Sequence, residues 1–275
     1  MNINMKNLFS IEGKTALVTG GSRGIGEMIA AGFLAHGAKV YISSRKTEVC
    51  DATAKRLSDM TGNECISIPA DLSGLEGIQS LADTLSSRES KLDILVNNAG
   101  VSWGAPIDDF PEIGWDKVMD TNVKGVFFLT QKLLPLLRKS GSPEDPSRVI
   151  NIGSVDGILT PAFDTHSYGP SKAAAHHLTR QLAAKLIKEH IIVNAIAPGP
   201  FPTWMLSTGV GFGGKTEGDG VDWDAVGQIN PSKRVGSIED ISGLAIFLCS
   251  RAGAYVVGET IACDGGAVAS AGIQI

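Results

Sequence analysis

The sequence lacks the features of several protein classes. Its four cysteines show neither the CxxC nor the Cys/His spacing of a metal site. No apolar run is long enough to span a membrane, and the short polar start at residues 1–13 does not resemble a signal peptide. Internal repeats and long disordered tracts are also missing. We therefore expect a soluble, cytoplasmic protein whose cysteines are small buried hydrophobic residues in a reducing compartment.

An excess of positive charge is also missing. The chain of 275 residues carries a formal net charge of −5, which disfavours a nucleic-acid partner. Hydrophobic residues make up 43% of the chain and charged residues 19%, enough apolar material for one large core. The composition predicts one domain over residues 1–275, with neither a nucleic acid nor a membrane as partner.

Strand-like apolar runs alternate with amphipathic helical stretches along the chain. This order predicts an α/β fold, a single Rossmann-type domain with a doubly wound parallel sheet of about seven strands and helices on both faces. Ligands of such sheets bind at the carboxyl ends of the strands. The predicted strands are 15–18, 39–43, 65–69, 94–96, 148–152, 192–197 and 259–263, and the predicted helices are 24–36, 49–60, 78–86, 115–137, 168–189 and 238–248.

A long irregular stretch, residues 198–231, interrupts this alternation. Long loops inside compact domains are often lids or binding loops, and this one directly follows a strand end where a ligand should lie. We therefore expect a substrate lid at about residues 200–231; an insertion without a role is the alternative. Its glycines are Gly209, Gly211, Gly213, Gly214, Gly218 and Gly220.

A glycine-rich segment, TGGSRGIG at residues 19–26, follows the first predicted strand and opens the first helix. Glycines in this place permit a tight turn and let the backbone approach a pyrophosphate at the positive end of the helix. A plain β–α turn is the alternative. The placement predicts a dinucleotide site that includes Gly20, Ser22, Arg23, Gly24, Ile25 and Gly26.

The end of the second predicted strand indicates which dinucleotide binds. An Asp or Glu there would bind the ribose 2′-hydroxyl of NAD, but the chain has Ser44 and Arg45, with Lys46 next to them. A guanidinium suits a 2′-phosphate by charge and geometry, so we predict NADP(H); solvated loop cations are the alternative. Asp71 and Leu72 are expected beside the adenine, although Asp71 could equally cap a helix.

Tyr168 and Lys172 lie one turn apart on a predicted helix and therefore share a face. A neighbouring ammonium group favours the phenolate and is expected to lower the pKa of the tyrosine. Ser154 precedes this pair and follows a predicted strand. With the glycine-rich segment, the three residues predict a nicotinamide-dependent carbonyl reductase.

The chain resembles the short-chain dehydrogenase/reductase family from about residue 13 to residue 266. The motifs that carry this resemblance occur in one order along the chain. They are TGGSRGIG at 19–26, Asp71, NNAG at 97–100, Asn122, Ser154, Tyr168 with Lys172, and Pro198 with Gly199. Within the family, residues 97–104, 148–157 and 168–174 are most similar to 3-oxoacyl thioester reductases of the rhamnolipid-biosynthesis type.

The resemblance implies a role for each matched residue. Tyr168 would protonate the carbonyl oxygen, Ser154 would hold and polarise it, and Lys172 would bind the nicotinamide ribose. Asn122 would hold a water in the proton relay behind Lys172. Asn98, Ala99 and Gly100 would lie along the adenosine ribose, and Pro198, Gly199 and Thr203 at the nicotinamide end.

The expected activity is NADPH-dependent reduction of a 3-oxoacyl thioester or a similar ketone. Its carrier, acyl carrier protein or coenzyme A, stays open. The alternatives are a dehydrogenase of a sugar, polyol or steroid alcohol, and a non-catalytic NADPH-binding regulator, which would have no need of Tyr168. The expected apolar wall of the substrate pocket is Trp103, Phe201, Trp204 and Met205, with ordinary core packing as the alternative for Trp103.

Other expectations concern the surroundings of the site. The resemblance implies a homotetramer, with residues 115–137, 168–189 and the tail 267–275 at its interfaces. The interval from Ser154 to Tyr168 is one residue longer than is usual in the family, which implies an altered loop over the pocket. His176, one turn beyond Lys172, is interpreted as a polar helix or interface residue.

Overall fold

The computed structural model describes residues 5–160, 163–209 and 221–271. In these ranges one sheet of 7 strands has the order β3-β2-β1-β4-β5-β6-β7, and every neighbouring pair is parallel. The predicted Rossmann-type sheet is confirmed. Its strands are β1 (Thr15–Thr19), β2 (Lys39–Ser43), β3 (Cys65–Ser67), β4 (Ile94–Asn97), β5 (Ser147–Ile152), β6 (Ile191–Pro198) and β7 (Thr260–Cys263).

The helices connect consecutive strands, as a parallel sheet requires. Two short helices in the expected lid were not predicted, because they carry too few turns for an apolar period to be recognised. The helices are α1 (Gly24–Ala35), α2 (Thr47–Thr61), α3 (Leu75–Arg88), α4 (Glu112–Met119), α5 (Gly125–Ser140), α6 (Tyr168–Leu186), α7 (Trp204–Gly209), α8 (Trp223–Gln228) and α9 (Ile238–Cys249). Between α4 and α5 the backbone forms a π-helical turn, Asp120–Lys124, within the stretch predicted as one helix.

Both faces of the sheet are covered by apolar side chains. In β1, Ala16 and Val18 lie in one buried cluster with residues of α1 and α9, while Leu17 lies in a second cluster with residues of α3 and α5. Because successive strand residues point to opposite faces, this division follows from the pleat. Burial on both faces explains the nearly continuous apolar composition of the strands.

The strand order reverses beside β1. The chain runs from β1 outward to β3 and then returns to the other side of β1 as β4. The carboxyl ends of these parallel strands lie at one edge of the sheet, and the connections on either side of β1 diverge there. Such a point opens a crevice for a ligand.

Two regions named in the sequence analysis are only partly visible. The glycine-rich stretch 210–220 of the expected lid and the end of the tail, 272–275, lie outside the described residues. Within the described ranges, every helix is too short or too polar to traverse a lipid bilayer.

Candidate active site

A cleft of about 1750 Å³ runs along the carboxyl edge of the sheet. It brings together residues that are far apart in the chain, from the glycine-rich segment, the ends of β2 to β6 and the start of α6. Among the described residues, all the predicted site residues line this cleft except three: Gly26, Trp103 and Asn122. The predicted site is therefore one continuous surface.

The turn after β1 has the backbone that its glycines predict. Gly20 and Gly24 have φ of +61° and +58°, a left-handed conformation that side chains with a Cβ rarely adopt. A Cβ on Gly26 would lie 2.3 Å from Nδ2 of Asn98 and 2.4 Å from the carbonyl oxygen of Gly20. Gly26 is therefore needed for close packing beneath the turn, although it does not face the cleft. The turn leaves the amino end of α1 open to an anion.

Asn98 joins the ends of β1 and β4. Its Nδ2 donates to the carbonyl oxygens of Thr19 and Gly20 at 2.9 and 3.2 Å. The Thr19 hydroxyl oxygen accepts from the backbone N–H groups of Asn98 and Ala99, both at 3.0 Å. These bonds hold the 98–100 segment along the cleft floor.

Cations line the end of the cleft near β2. Arg45 and Lys46 are exposed there, and Arg23 approaches from the glycine-rich turn. The structure adds Arg56, which pairs with Glu27 at 2.6 Å. Sequence reasoning missed Arg56 because it lies on α2, away from the strand end. The buried hydroxyl of Ser44 has no hydrogen-bond partner among the described residues. This arrangement fits a phosphorylated ribose.

Asn122 lies in the π-helical turn, a distortion that is frequent at functional sites. Its Oδ1 accepts from the backbone N–H of Val101 at 2.9 Å, and its Nδ2 donates to the Val101 carbonyl at 2.9 Å and to Ser171 Oγ at 3.0 Å. Asn122 thus ties the cleft floor to α6, behind Lys172 rather than on the cleft wall.

Ser154 follows β5 on a short turn that is held from two sides. Its Oγ accepts from the backbone N–H of Asp156 at 3.1 Å. Its own backbone N–H donates to Nε2 of His176, at 3.4 Å. His176 is only 5% exposed, so the interpretation as an interface residue is wrong: its ring packs under the Ser154 turn.

Lys172 and Tyr168 lie on the first turns of α6. Lys172 Nζ donates to the carbonyl oxygen of Ile152 at 2.8 Å and lies 5.5 Å from the centroid of the Tyr168 ring. Burial lowers the pKa of Lys172 to about 8, although the Asp156 carboxylate counteracts this.

The expectation that Lys172 lowers the pKa of Tyr168 is wrong in this structure. Burial of the phenol raises its pKa, the Asp156 carboxylate raises it further, and a hydrogen bond with Ser154 only partly offsets the rise. The reason is that desolvation and the negative charge of Asp156 disfavour the phenolate more strongly than the Ser154 hydrogen bond favours it. Tyr168 is therefore held protonated, the state that a proton donor needs.

The apolar wall differs from the prediction at two positions. Trp103 packs on α4, where a Cβ on Gly114 would lie 2.7 Å from its ring, and it does not line the cleft formed by the described residues. Phe201 lines the cleft but is only 2% exposed, because its ring packs against Gly236 in the core. Phe201 therefore anchors the base of the expected lid instead of presenting an open wall.

Trp204 and Met205 do line the cleft, at the start of α7. The guanidinium carbon of Arg23 lies 4.4 Å from the centroid of the Trp204 ring, a cation–π contact between the glycine-rich turn and the expected lid. The cleft is also lined by Phe163, from the loop that was expected over the pocket, and by residues that sequence reasoning missed, among them Val155, Asp156 and Ile229. The position of Asp156, two residues after Ser154 in the chain, is a signal that could have identified it as a site residue.

Comparison with known proteins shows which proteins this chain resembles in sequence and in fold. A protein-family profile described as enoyl-(acyl carrier protein) reductase matches residues 20–268. The rhamnolipids biosynthesis 3-oxoacyl-(acyl-carrier-protein) reductase of Pseudomonas aeruginosa is 50% identical over 262 residues, which cover 95% of this chain and 99% of that protein. The gluconate 5-dehydrogenase of Gluconobacter oxydans is 32% identical over 265 residues, covering 96% of this chain and 98% of that protein.

Among solved structures, the Pseudomonas aeruginosa RhlG/NADP active-site complex matches with a TM-score of 0.88 and 50% sequence identity. The match covers 96% of this chain and 100% of that chain. The likeness therefore extends over the whole fold and is not confined to the motifs.

Proposed function

We propose a function from one premise: the chain belongs to the short-chain dehydrogenase/reductase family. The proposed function is NADPH-dependent reduction of a ketone to a secondary alcohol, with a 3-oxoacyl thioester as the preferred substrate class. The observation that supports it best is the meeting of Ser154, Tyr168 and Lys172 on one wall of a cleft whose other end carries Arg23 and Arg45.

NADP(H) fits the residues present. The glycine-rich turn leaves room for a pyrophosphate at the amino end of α1, and Arg45, Arg23 and the unpartnered Ser44 hydroxyl suit a ribose 2′-phosphate. The solved structure of the Pseudomonas aeruginosa relative, which is 50% identical, is an NADP active-site complex. When bound, NADPH supplies the hydride of the reduction.

The chain's own residues orient the ketone and deliver the proton. The Ser154 hydroxyl accepts from the Asp156 N–H, and its hydrogen, which is directed at the Tyr168 oxygen in this structure, would turn to the carbonyl oxygen of a bound substrate. Tyr168, with its raised pKa, donates its proton to that oxygen as negative charge develops. Lys172 binds the nicotinamide ribose, and Asn122 holds the floor segment at Val101 in place for it.

The apolar side chains at the catalytic end support an acyl substrate. Val155, Phe163, Met205 and Ile229 line this part of the cleft, and the relative that is 50% identical is named as a 3-oxoacyl reductase. We propose that the acyl group is carried on acyl carrier protein or on coenzyme A. We also propose that the segment 200–231 closes over the chain, with Trp204 and Met205 in contact with it.

The relative named gluconate 5-dehydrogenase makes a sugar-acid dehydrogenase the second candidate. NADPH consumption separates the two when the purified protein is given 3-oxoacyl thioesters of several chain lengths, on both carriers, beside free ketones and keto-sugar acids. Activity that rises from short to medium acyl chains supports the proposal. A preference for keto-sugar acids would replace it, and tight NADPH binding without turnover of any ketone would favour a non-catalytic regulator.

We further propose that the protein is a cytoplasmic homotetramer. Three large apolar side chains of the α4–α5 segment, Ile113, Trp115 and Phe127, are exposed, which supports a subunit interface on this segment. The four cysteines are all unpaired, which is consistent with a reducing compartment.

A further inference from the structure

The charged residues that line the cleft are distributed unequally between its two ends. Arg23, Arg45, Lys46 and Arg56 line the end near β2, where phosphates are expected. The carboxylates Glu27 and Asp71 also line the cleft, and Glu27 pairs with Arg56 at 2.6 Å. The catalytic end is lined by two lysines, Lys117 and Lys172, and by one carboxylate, Asp156. Asp156 lies on the short turn Val155–Gly157 directly after Ser154.

Asp156 contacts Ser154 through its backbone N–H, and its carboxylate makes no hydrogen bond that holds the turn in the described part of the chain. Its backbone N–H donates to Ser154 Oγ at 3.1 Å. Within the described residues, the carboxylate oxygens receive no hydrogen bond and form no ion pair within 4.0 Å, although the residue is half-buried. The charge of this carboxylate acts on both Tyr168 and Lys172. Asp156 is therefore a cleft carboxylate with no structural partner.

The two lysines at this end do not leave an open positive site. Lys172 Nζ donates to the Ile152 carbonyl at 2.8 Å, and its charge is opposed by Asp156. Lys117 Nζ lies 5.4 Å from the centroid of the Trp103 ring, a cation–π contact that engages its charge. Beside the reacting carbonyl, a substrate therefore meets a partly desolvated negative charge.

We infer that Asp156 is a specificity-determining residue that selects neutral ketones over ketones that carry a carboxylate close to the reacting carbonyl. A second negative charge in this half-buried place would be repelled by Asp156, whereas the thioester or ester of the same acid carries no charge. The inference rests on the proposed function and deepens it, since a 3-oxoacyl thioester is neutral next to its ketone, whereas the free 3-oxo acid carries a carboxylate there.

The test compares two substrates that differ in charge and little else: ethyl 3-oxobutanoate and 3-oxobutanoate, each with NADPH at neutral pH. We expect the wild type to prefer the ester. In Asp156→Asn, which keeps the side-chain shape, the ratio of kcat/KM for acid to ester should rise roughly five- to twentyfold, the effect of removing a like charge a few ångström away. Retained activity on the ester would show that the variant is folded.

The matched control is Asp164→Asn. Asp164 is a carboxylate of the same loop region, but its side chain is 71% exposed. The control should leave the acid-to-ester ratio unchanged. An unchanged ratio in Asp156→Asn, or an equal rise in Asp164→Asn, would overturn the inference, because it would mean that Asp156 supports the turn or contributes only to the general surface charge.

A binding experiment keeps the test independent of turnover. The dissociation constants of octanoate and octanamide are measured for the protein with NADP⁺, in the wild type and in Asp156→Asn. The substitution should lower the dissociation constant of octanoate relative to that of octanamide, by a factor similar to the change in the kcat/KM ratio. Equal changes in the two dissociation constants would contradict the inference. If the wild type reduces neither these ketones nor any 3-oxoacyl thioester of the substrate panel while this difference is present, the proposed reaction is wrong and the selection against negative charge stands.

Discussion

The imidazole of His176 lies beneath the turn that carries Ser154 and accepts the Ser154 backbone N–H at Nε2, at 3.4 Å. The fit is close: a Cβ on Gly153 would lie 2.0 Å from Nε2, and one on Gly157 would lie 2.7 Å from Cε1. His176 is on α6, the helix that carries Tyr168 and Lys172. One ring therefore holds the serine turn against the helix of the proton donor.

This contact predicts that His176 positions Ser154. His176→Leu removes the acceptor from a buried N–H, so kcat should fall about tenfold or more, while the dissociation constant of NADPH stays nearly unchanged. His176→Gln keeps an acceptor and should recover part of the loss. Steady-state kinetics and cofactor titration measure both quantities. Equal losses in the two variants would indicate a packing role without a role for the hydrogen bond.

His176 also predicts a pH dependence of stability. Burial, with help from Lys172 and Arg180, lowers its pKa from 6.5 to about 4. Between pH 6.5 and about 4, the His176 ring is protonated in the unfolded chain and neutral in the folded chain. The stability that the neutral ring contributes is therefore lost as pH falls through this window.

The size of this loss follows from the shift. The His176 contribution to the free energy of unfolding should fall by up to about 3 kcal/mol across the window. Denaturant titrations at several pH values give the free energy of unfolding of the wild type and of His176→Gln. The difference between the two isolates the contribution of His176 from that of the other titrating groups. The difference between the two curves should shrink as pH falls. A difference that does not depend on pH would show that the ring titrates normally.

Arg45 is predicted to set the preference for NADPH over NADH. Arg45→Asp removes a partner of the 2′-phosphate and adds an acceptor for a 2′-hydroxyl, so the ratio of kcat/KM for NADPH to that for NADH should fall by at least tenfold. Lys55→Asp is the control, since Lys55 is an exposed cation of α2 that is not part of the cleft lining in the described chain. If both variants leave the ratio unchanged, Arg45 points into solvent.

The exposed apolar side chains of Ile113, Trp115 and Phe127 predict self-association. Light scattering at micromolar concentration should give the mass of four chains, and Phe127→Glu should reduce it, because a charge is costly to bury in an apolar interface. A monomeric wild type would exclude the tetramer. A tetramer that is insensitive to Phe127→Glu would place the interface elsewhere.

The sheet and the glycine-rich turn after β1 could be predicted from the sequence because their signals lie in short stretches of the chain. Alternating apolar runs fix the strands, and the glycines at 19–26 are required by the positive φ at Gly20 and Gly24 and by the packing of Gly26. The family resemblance is confirmed by the match over residues 20–268. The strand pattern and the positive φ values belong to short stretches of the chain, whereas the packing of Gly26 against Asn98 became apparent only in the structure.

The remaining features depend on contacts across the fold. The raised pKa of Tyr168 follows from burial and from Asp156, neither of which is apparent from the spacing of Tyr168 and Lys172. Phe201 packs against Gly236, and His176 packs beneath Ser154, contacts between distant parts of the chain. Sequence reasoning assigned such residues by their neighbours in the chain, whereas their surroundings are set by packing.

The central claim is that Tyr168 donates the proton in an NADPH-dependent reduction of a 3-oxoacyl group. The most direct measurement is the rate of NADPH oxidation with a medium-chain 3-oxoacyl thioester, for the wild type and for Tyr168→Phe, with NADPH binding measured on both. We predict turnover by the wild type and a fall in kcat of at least about a hundredfold in the variant, with cofactor binding retained. A variant that keeps more than about a tenth of the wild-type kcat would contradict the account.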